Sequence, residues 1–165
     1  MDSERERESV LGSFEDFYQE QYPRIVRATL LATGDQELSF DATQEAFKRA
    51  FMRWPRLREH PWAGGWVMTT AFNVAKRHRS RARRERELLL SVGETTNEPA
   101  PDTRPLDIAN ALRQLPYRQR EATILYYWGD LPTVAVAELM DVAEGTVRAH
   151  LAAARKTLGL ELEDV

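Results

Sequence analysis

Residues 131–158, LPTVAVAELMDVAEGTVRAHLAAARKTL, constrain this chain more than any other stretch. Two helical periods flank a short turn, Asp141-Val142-Ala143. In the first, about 133–140, Val136, Leu139 and Met140 point toward a core. In the second, about 144–158, Val147, Leu151, Ala154 and Leu158 recur at the spacing of one buried helical stripe. Asp141 stands where a helix-ending positive φ is needed, which aspartate tolerates better than most residues. At about 100° per residue, Arg148, Ala152 and Arg155 share the outward face, with Thr146, Ala149 and Lys156 beside it. Small side chains at 149 and 152 let the backbone approach a groove closely, and the surrounding threonine and cations suit phosphates and guanine edges. The pattern is that of a helix-turn-helix that reads duplex DNA rather than of a plain helical hairpin.

The rest of the chain has to accommodate that unit. With 165 residues, 42% hydrophobic and 30% charged, there is room for one domain or two small ones with real cores. The absence of cysteine removes disulfides, thiolate nucleophiles and cysteine-bound zinc. No apolar run approaches the roughly 20 residues that span a bilayer, and MDSERERES is a mixed-charge tail rather than a signal peptide, so the expected location is the cytoplasm. The net charge of -3 conceals a local basic footprint, KRHRSRARR at 76–84, while the acids gather at the N-terminus, at 94–102 and at 161–164. His60, His78 and His150 show no ligand spacing, and no phosphate loop, nucleophile motif or isolated carboxylate pair is present. Neither an enzyme nor a metal or cofactor site is expected.

Residues 1–12 are expected to be a disordered tail, with order starting at Ser13 in a capping signal. Phe14, Phe17, Tyr18, Tyr22, Val26 and Leu30 then follow at helical spacing, Pro23 should kink or restart that helix, and Thr33-Gly34-Asp35 closes it. A second helix should start near Asp41 with Gln44 as its capping-box partner, bury Ala42, Ala46, Phe47, Ala50, Phe51 and Trp54, and end at Pro55. Its opposite face presents Gln44, Glu45, Lys48, Arg49 and Arg53, which alone reads as a solvated face. After the loop LREHPWAGGW a third helix, 66–90, starts apolar with Trp66, Val67, Thr70, Ala71 and Val74 and turns basic. So many like charges on consecutive turns repel one another, which favours an anionic partner. The stretch VGETTNEPAPDTRP at 92–105 reads as a flexible linker. Beyond it Ile108, Leu112 and Leu115 share a face. A helix opening at Pro116 carries Ile124, Leu125 and Tyr127 or Trp128 inward, and Gly129 and Asp130 stop it. The expected fold is all-α, with two small helical domains, 13–91 and 106–160, joined by the linker.

Read together, these segments resemble a known family over nearly the whole chain. LRQLPYRQREATILYYWGDLPTVAVAELMDVAEGTVRAHLAAARKTL is similar to region 4 of RNA polymerase sigma factors of the extracytoplasmic-function type (ECF, group 4). FDATQEAFKRAFMRWPRL through GGWVMTTAFNVAKRHRSRARR resembles their region 2, and LLATGD with the short linker is similar to actinobacterial members. The resemblance implies a subunit with no chemistry of its own that gives core RNA polymerase its promoter preference. It implies that Asp41, Gln44, Glu45, Lys48, Arg49 and Arg53 dock on the clamp helices of the large polymerase subunit. The loop 57–65, with Trp62, would capture a flipped base of the minus-10 element, an unstacking that costs a few kcal/mol. Asn73, Lys76, Arg77, Arg79 and Arg81 would line the path of the non-template strand. Thr146, Arg148, Ala149, Ala152, Arg155 and Lys156 would meet the minus-35 duplex, with region 4 also reaching the polymerase flap. An anti-sigma factor is the further partner where an inhibitor controls such a protein. His60-Pro61-Trp62 departs from the small or acidic residues usual in the minus-10 loop, and Pro132 replaces the usual capping residue, leaving Thr133 for that task. The rival readings are a stand-alone helix-turn-helix regulator and an adaptor that mimics region 4; the first should bind duplex DNA tightly alone, the second should bind no promoter even with polymerase.

Overall fold

Aromatic side chains decide how the N-terminal half packs. In the computed structural model, which describes residues 2–90 and 108–159, α1 (Asp2–Thr33), α2 (Gln36–Leu57) and α3 (Ala63–Leu90) pack against one another. Phe14 and Phe17 of α1 meet Trp54 of α2 at ring-centroid distances of 5.3 and 4.7 Å, and Tyr18 stacks edge-on to Phe47 at 4.8 Å. Ile25, Ala28, Ala46, Ala50, Val67, Ala71 and Phe72 complete this part of the core. Small alanines on all three helices let the axes approach closely, so the large rings fill one layer. Three buried hydroxyls are satisfied locally: Thr29 donates to the Ile25 carbonyl at 2.8 Å, and Thr33 and Ser39 share a bond of 2.9 Å.

The helix boundaries differ from the sequence expectation in five places. One is α3, which starts at Ala63 rather than Trp66 and takes up the last three residues of the expected loop 57–65. Helix α1 begins at Asp2, so residues 2–12 are helical instead of a tail. Alternating Glu and Arg at 4–8 set opposite charges at i,i+3 spacing, acids occupy the first turn, and Val10 packs against the core. Ser13 lies inside the helix and accepts the Trp54 indole N–H at 2.9 Å, so it is a core partner and not a cap. Pro23 neither breaks nor restarts α1. Helix α2 starts at Gln36 rather than near Asp41, because Asp35 caps it by accepting the Leu38 N–H at 3.0 Å after Gly34 turns the chain at φ 69°. It also runs past Pro55 to Leu57, the proline standing exposed in the last turn.

The C-terminal half comprises α4 (Ile108–Arg113), α5 (Tyr117–Thr123) with a π-helical turn (Ile124–Trp128), α6 (Thr133–Met140) and α7 (Glu144–Leu158). The expected linker, 92–105, lies outside the described residues. Helices α6 and α7 have the expected spans, and Val136, Met140, Val147, Leu151 and Ala154 are buried as the stripes required. Asp141 ends α6 at φ 54°, the left-handed conformation that the turn demanded. No side chain caps α6; Thr133 instead donates to Glu144 at 2.7 Å, tying the two helices of the hairpin together. Arg118 braces the same unit, pairing with Glu121 at 2.9 Å and donating to the Met140 carbonyl at 3.0 Å.

In the π turn, the Gly129 N–H donates to the Ile124 carbonyl at 2.9 Å, five residues back. A Cβ at Gly129 would overlap the Leu125 carbonyl oxygen, so this turn needs glycine. The extra residue rotates the end of the helix. Ile124 and Leu125 stay buried as expected, but Tyr127 and Trp128 are exposed, contrary to the inward placement read from the sequence. Ile108 likewise leaves the core that Leu112 and Leu115 share. The two halves join through one continuous apolar cluster, with α4, α5 and α6 lying against α1 and α3.

Candidate nucleic-acid interface

The outward face of α7 carries the residues singled out for duplex DNA. Thr146, Arg148, Ala149, Ala152 and Lys156 are exposed and Arg155 is half-buried, while Val147, Leu151 and Ala154 hold the helix down. Arg148 pairs with Glu144 at 2.7 Å, one turn back, which keeps its guanidinium extended along the exposed side of the helix. Opposite charges one turn apart in solvent hold each other weakly, so the guanidinium can leave for a base edge.

The six minus-10 candidates do not share one face. Asn73, Arg77 and Arg81 form one exposed stripe of α3. Lys76 and Arg79 lie roughly 100° and 160° round the helix from the middle of that stripe at ~100° per residue, facing the C-terminal half. The Lys76 ammonium sits 4.8 Å from the Tyr117 ring centroid, and Arg79 donates to the Thr33 carbonyl at the end of α1. Lys76 and Arg79 join Arg83 and Arg86 in lining a cavity of about 540 Å³, with Phe72 and Tyr117 in its wall. Burial, then the Glu121 charge, pushes the Tyr117 hydroxyl far above the ordinary tyrosine range. Burial first and Arg79 second hold the nearby Arg120 below the usual arginine value. This corner is rich in cations even after its internal bonds are counted.

Trp62 is half-buried beside the start of α3. Its backbone N–H donates to His60 Nδ1 at 3.0 Å, which leaves His60 Nε2 to donate to Glu138 of α6 at 3.1 Å. The departure from small or acidic residues at 60–62 therefore has a structural use, since His60 closes the turn into α3 and reaches the other half.

On α2, Asp41, Gln44, Lys48 and Arg53 are exposed. Glu45 and Arg49 are half-buried and paired at 3.0 Å, and the Arg53 guanidinium lies 5.8 Å from the Trp66 ring centroid. Sequence reasoning missed the apolar part of this surface. Phe40, Phe51 and Met52 are exposed beside Gln44 and Lys48, although the helical spacing puts Phe51 on the core stripe. Phe51 leans edge-on against Phe14 at 5.0 Å and stays open on its other side. The signal was present in the unusual width of the apolar arc on α2.

A second missed surface is an apolar groove of about 500 Å³ between α1 and the C-terminal half, lined by Leu31, Ile108, Leu112, Ile124, Tyr127 and Leu158. It exists because the π turn and α4 turn Tyr127 and Ile108 outward. Among the described residues no group of three or more His, Cys, Asp or Glu is placed to hold a metal, and no helix is long and apolar enough to cross a membrane.

Residues 106–158 match the family model described as Sigma-70, region 4. The chain is 30% identical over 163 residues to the ECF RNA polymerase sigma factor SigL of Mycobacterium tuberculosis, covering 90% of this chain and 88% of that protein. The chain belongs to the ECF RNA polymerase sigma factor family. This sigma factor is also 23% identical to SigM of Bacillus subtilis, over 88% of its own length and 93% of that protein. It is 29% identical to a probable RNA polymerase sigma factor, RfaY, of Xanthomonas campestris over 87% of its length, and spans 41% of that longer relative. Its fold matches the sigma factor RpoE in a co-crystal structure with the anti-sigma factor NepR from Bartonella quintana, at a TM-score of 0.68 and 22% identity, over 88% of this chain and 94% of that one. The region 4 match takes in α4–α7.

Proposed function

We propose that this sigma factor binds core RNA polymerase in the cytoplasm and directs it to promoters, reading minus-35 duplex through α7 and the opened minus-10 strand through α3 and the loop before it. The observation that carries this reading is the presence of two separate cationic faces on one all-helical chain, each backed by its own buried stripe. Arg148, Arg155 and Lys156 surround the small residues Ala149 and Ala152, which suits close approach to a major groove. Asn73, Arg77 and Arg81 follow one line along α3, as a strand of phosphates would require.

The α2 surface supplies the polymerase contact. Exposed Phe40, Phe51 and Met52 among Gln44 and Lys48 give it the apolar and aromatic centre with a polar rim that protein interfaces use. It would seat the clamp helices of the large subunit, with Glu45, Arg49 and Arg53 at its edge. The groove lined by Ile108, Leu112 and Leu158 would seat an apolar helix of the polymerase flap. Once both halves are held on polymerase, neither needs to bind DNA tightly alone, because the second contact is made at high effective concentration. An acidic protein with a net charge of -3 can then read DNA through local footprints. The factor performs no chemistry itself. LLATGD at 30–35 supports placing it with actinobacterial members, and an anti-sigma factor would act by covering the α2 or α3 surfaces.

Electrophoretic mobility of promoter DNA tests the division of labour. Factor plus core polymerase should give a sequence-specific complex that neither gives alone. Tight sequence-specific binding by the free factor would instead favour a stand-alone regulator.

A further inference from the structure

Helix α3 carries cations where its buried face should continue. At about 100° per residue, Arg79, Arg83 and Arg86 fall on the same side of the helix as Phe72, which is 1% exposed and packs in the core. Lys76 borders them, so the four cations lie within an arc of about 80°. A helix ordinarily keeps its charges on the side away from its neighbours. Here they line a cavity of about 540 Å³ between α3, the end of α1 and α5. Asn73, Arg77 and Arg81, the stripe proposed for the promoter strand, take no part in that lining.

Internal contacts leave most of this charge unmatched. Among the described residues, Glu87 is the only carboxylate in the lining. It pairs with Arg83 at 3.1 Å, but the two side chains are 61% and 80% exposed, so solvent weakens the pair. Arg79 gives one hydrogen bond, to the Thr33 carbonyl, from a guanidinium that has five N–H groups. The Lys76 ammonium lies 4.8 Å from the Tyr117 ring centroid, a contact that cancels no charge. Arg86 is exposed. Like charges on successive turns repel, and a multiply charged anion laid along them removes that cost.

Size and composition narrow the ligand. Between Arg79 and Arg86 the helix rises ~10 Å, which suits several linked phosphates better than a single one. Ser80 adds a hydroxyl beside the cations. The rest of the wall is largely apolar, with Phe72, Ala75, Leu90 and the half-buried Tyr117 ring. The volume falls in the range of small-molecule sites, roughly 300–1,000 Å³. A ligand that is flat and apolar at one end and polyanionic at the other matches both parts of the wall. A polymer strand needs an open track, which the exposed Asn73–Arg77–Arg81 stripe supplies and a cavity walled by three helices does not.

We propose that this cavity binds a nucleoside polyphosphate, with the phosphates on Arg79, Arg83 and Arg86 and the base at the Tyr117 end. Lys76 and Arg79 then belong to this ligand and not to the promoter strand. The site is independent of the promoter-directing function, and either can fail alone.

Fluorescence titration of the full chain with methylanthraniloyl-labelled ATP and GTP tests the site. Saturable binding is expected, displaced by the unlabelled triphosphates. It should weaken about tenfold or more in the Arg83→Ser, Arg86→Ser variant, which loses two charged hydrogen-bond donors. Both arginines are exposed, so the variant should melt as the parent does. Absence of saturable binding, or equal affinity in the variant, overturns the proposal. Equal displacement by inorganic tripolyphosphate also overturns it by marking a bare anion site, and equal displacement by a thymidine oligonucleotide does so by marking a strand path. Amide signals of isotope-labelled protein give an independent reading. ATP should shift those of Thr33, Ser80 and Tyr117 and leave those of Arg148 and Ala152 in place; shifts confined to α7 contradict the assignment.

Discussion

Arg148 and Glu121 show how differently two charged residues of one small domain are used. Arg148 is exposed and engaged only with Glu144 one turn away, so Arg148→Ala should leave stability within about 0.5 kcal/mol. If it reads a base edge bidentately, the same change should weaken minus-35 recognition by ~1–3 kcal/mol and relax preference at one position. Competition binding of polymerase holoenzyme to minus-35 variants checks this; an unchanged preference reduces Arg148 to a phosphate contact. Glu121 is buried against Arg118, and burial raises its pKa despite the opposing bond and charge of Arg118 and the charges of Lys76 and His150. With the folded pKa above the unfolded one, the folded state holds the proton more tightly, so stability falls as pH rises through that window. Thermal melts across the acidic range should show wild type gaining stability relative to Glu121→Gln as pH falls from neutral. Parallel curves for the two proteins would contradict the assignment.

Helix α2 and the π turn carry the element-scale consequences. Met52 is 73% exposed and contributes nothing to the core, so Met52→Asp should melt as wild type does and yet lose affinity for core polymerase, read by co-sedimentation. Gly129→Ala forces a Cβ onto the Leu125 carbonyl oxygen and should cost about 1–3 kcal/mol in urea unfolding, the usual cost of overpacking. These two elements also show what the sequence conceals. The spans of α6 and α7 were legible because their apolar steps match one helical stripe and Asp141 marks the only place the turn can go. Phe51 and Tyr127 were misplaced because periodicity shows which residues are apolar, not whether a neighbouring helix reaches them. In α2 the apolar arc is wider than the surface that α1 and α3 cover, and in the π turn one extra residue shifts the register after Leu125. The start of α1 at Asp2 escaped because charge pairs along a helix and charge in a tail have the same composition.

For the molecule as a whole, the DNA-facing residues were legible by type and only partly by place. The cations at 76–81 were visible as a run, but their division into an outward stripe and one facing the C-terminal half follows from where α5 packs. Contacts between the halves left no sequence signal, since nothing in the spacing of Arg24, His60 and Trp128 points to the partners the fold brings them. In the function proposed above the sigma factor reads DNA at two places, through the exposed face of α7 and the exposed Asn73–Arg77–Arg81 stripe of α3. Run-off transcription from genomic fragments with purified core polymerase tests that account most directly. Discrete products starting at fixed positions, dependent on this protein and reduced by Met52→Asp and Arg148→Ala, are the predicted result. Absence of any start-site-specific product, alongside tight sequence-specific DNA binding by the protein alone, would contradict it.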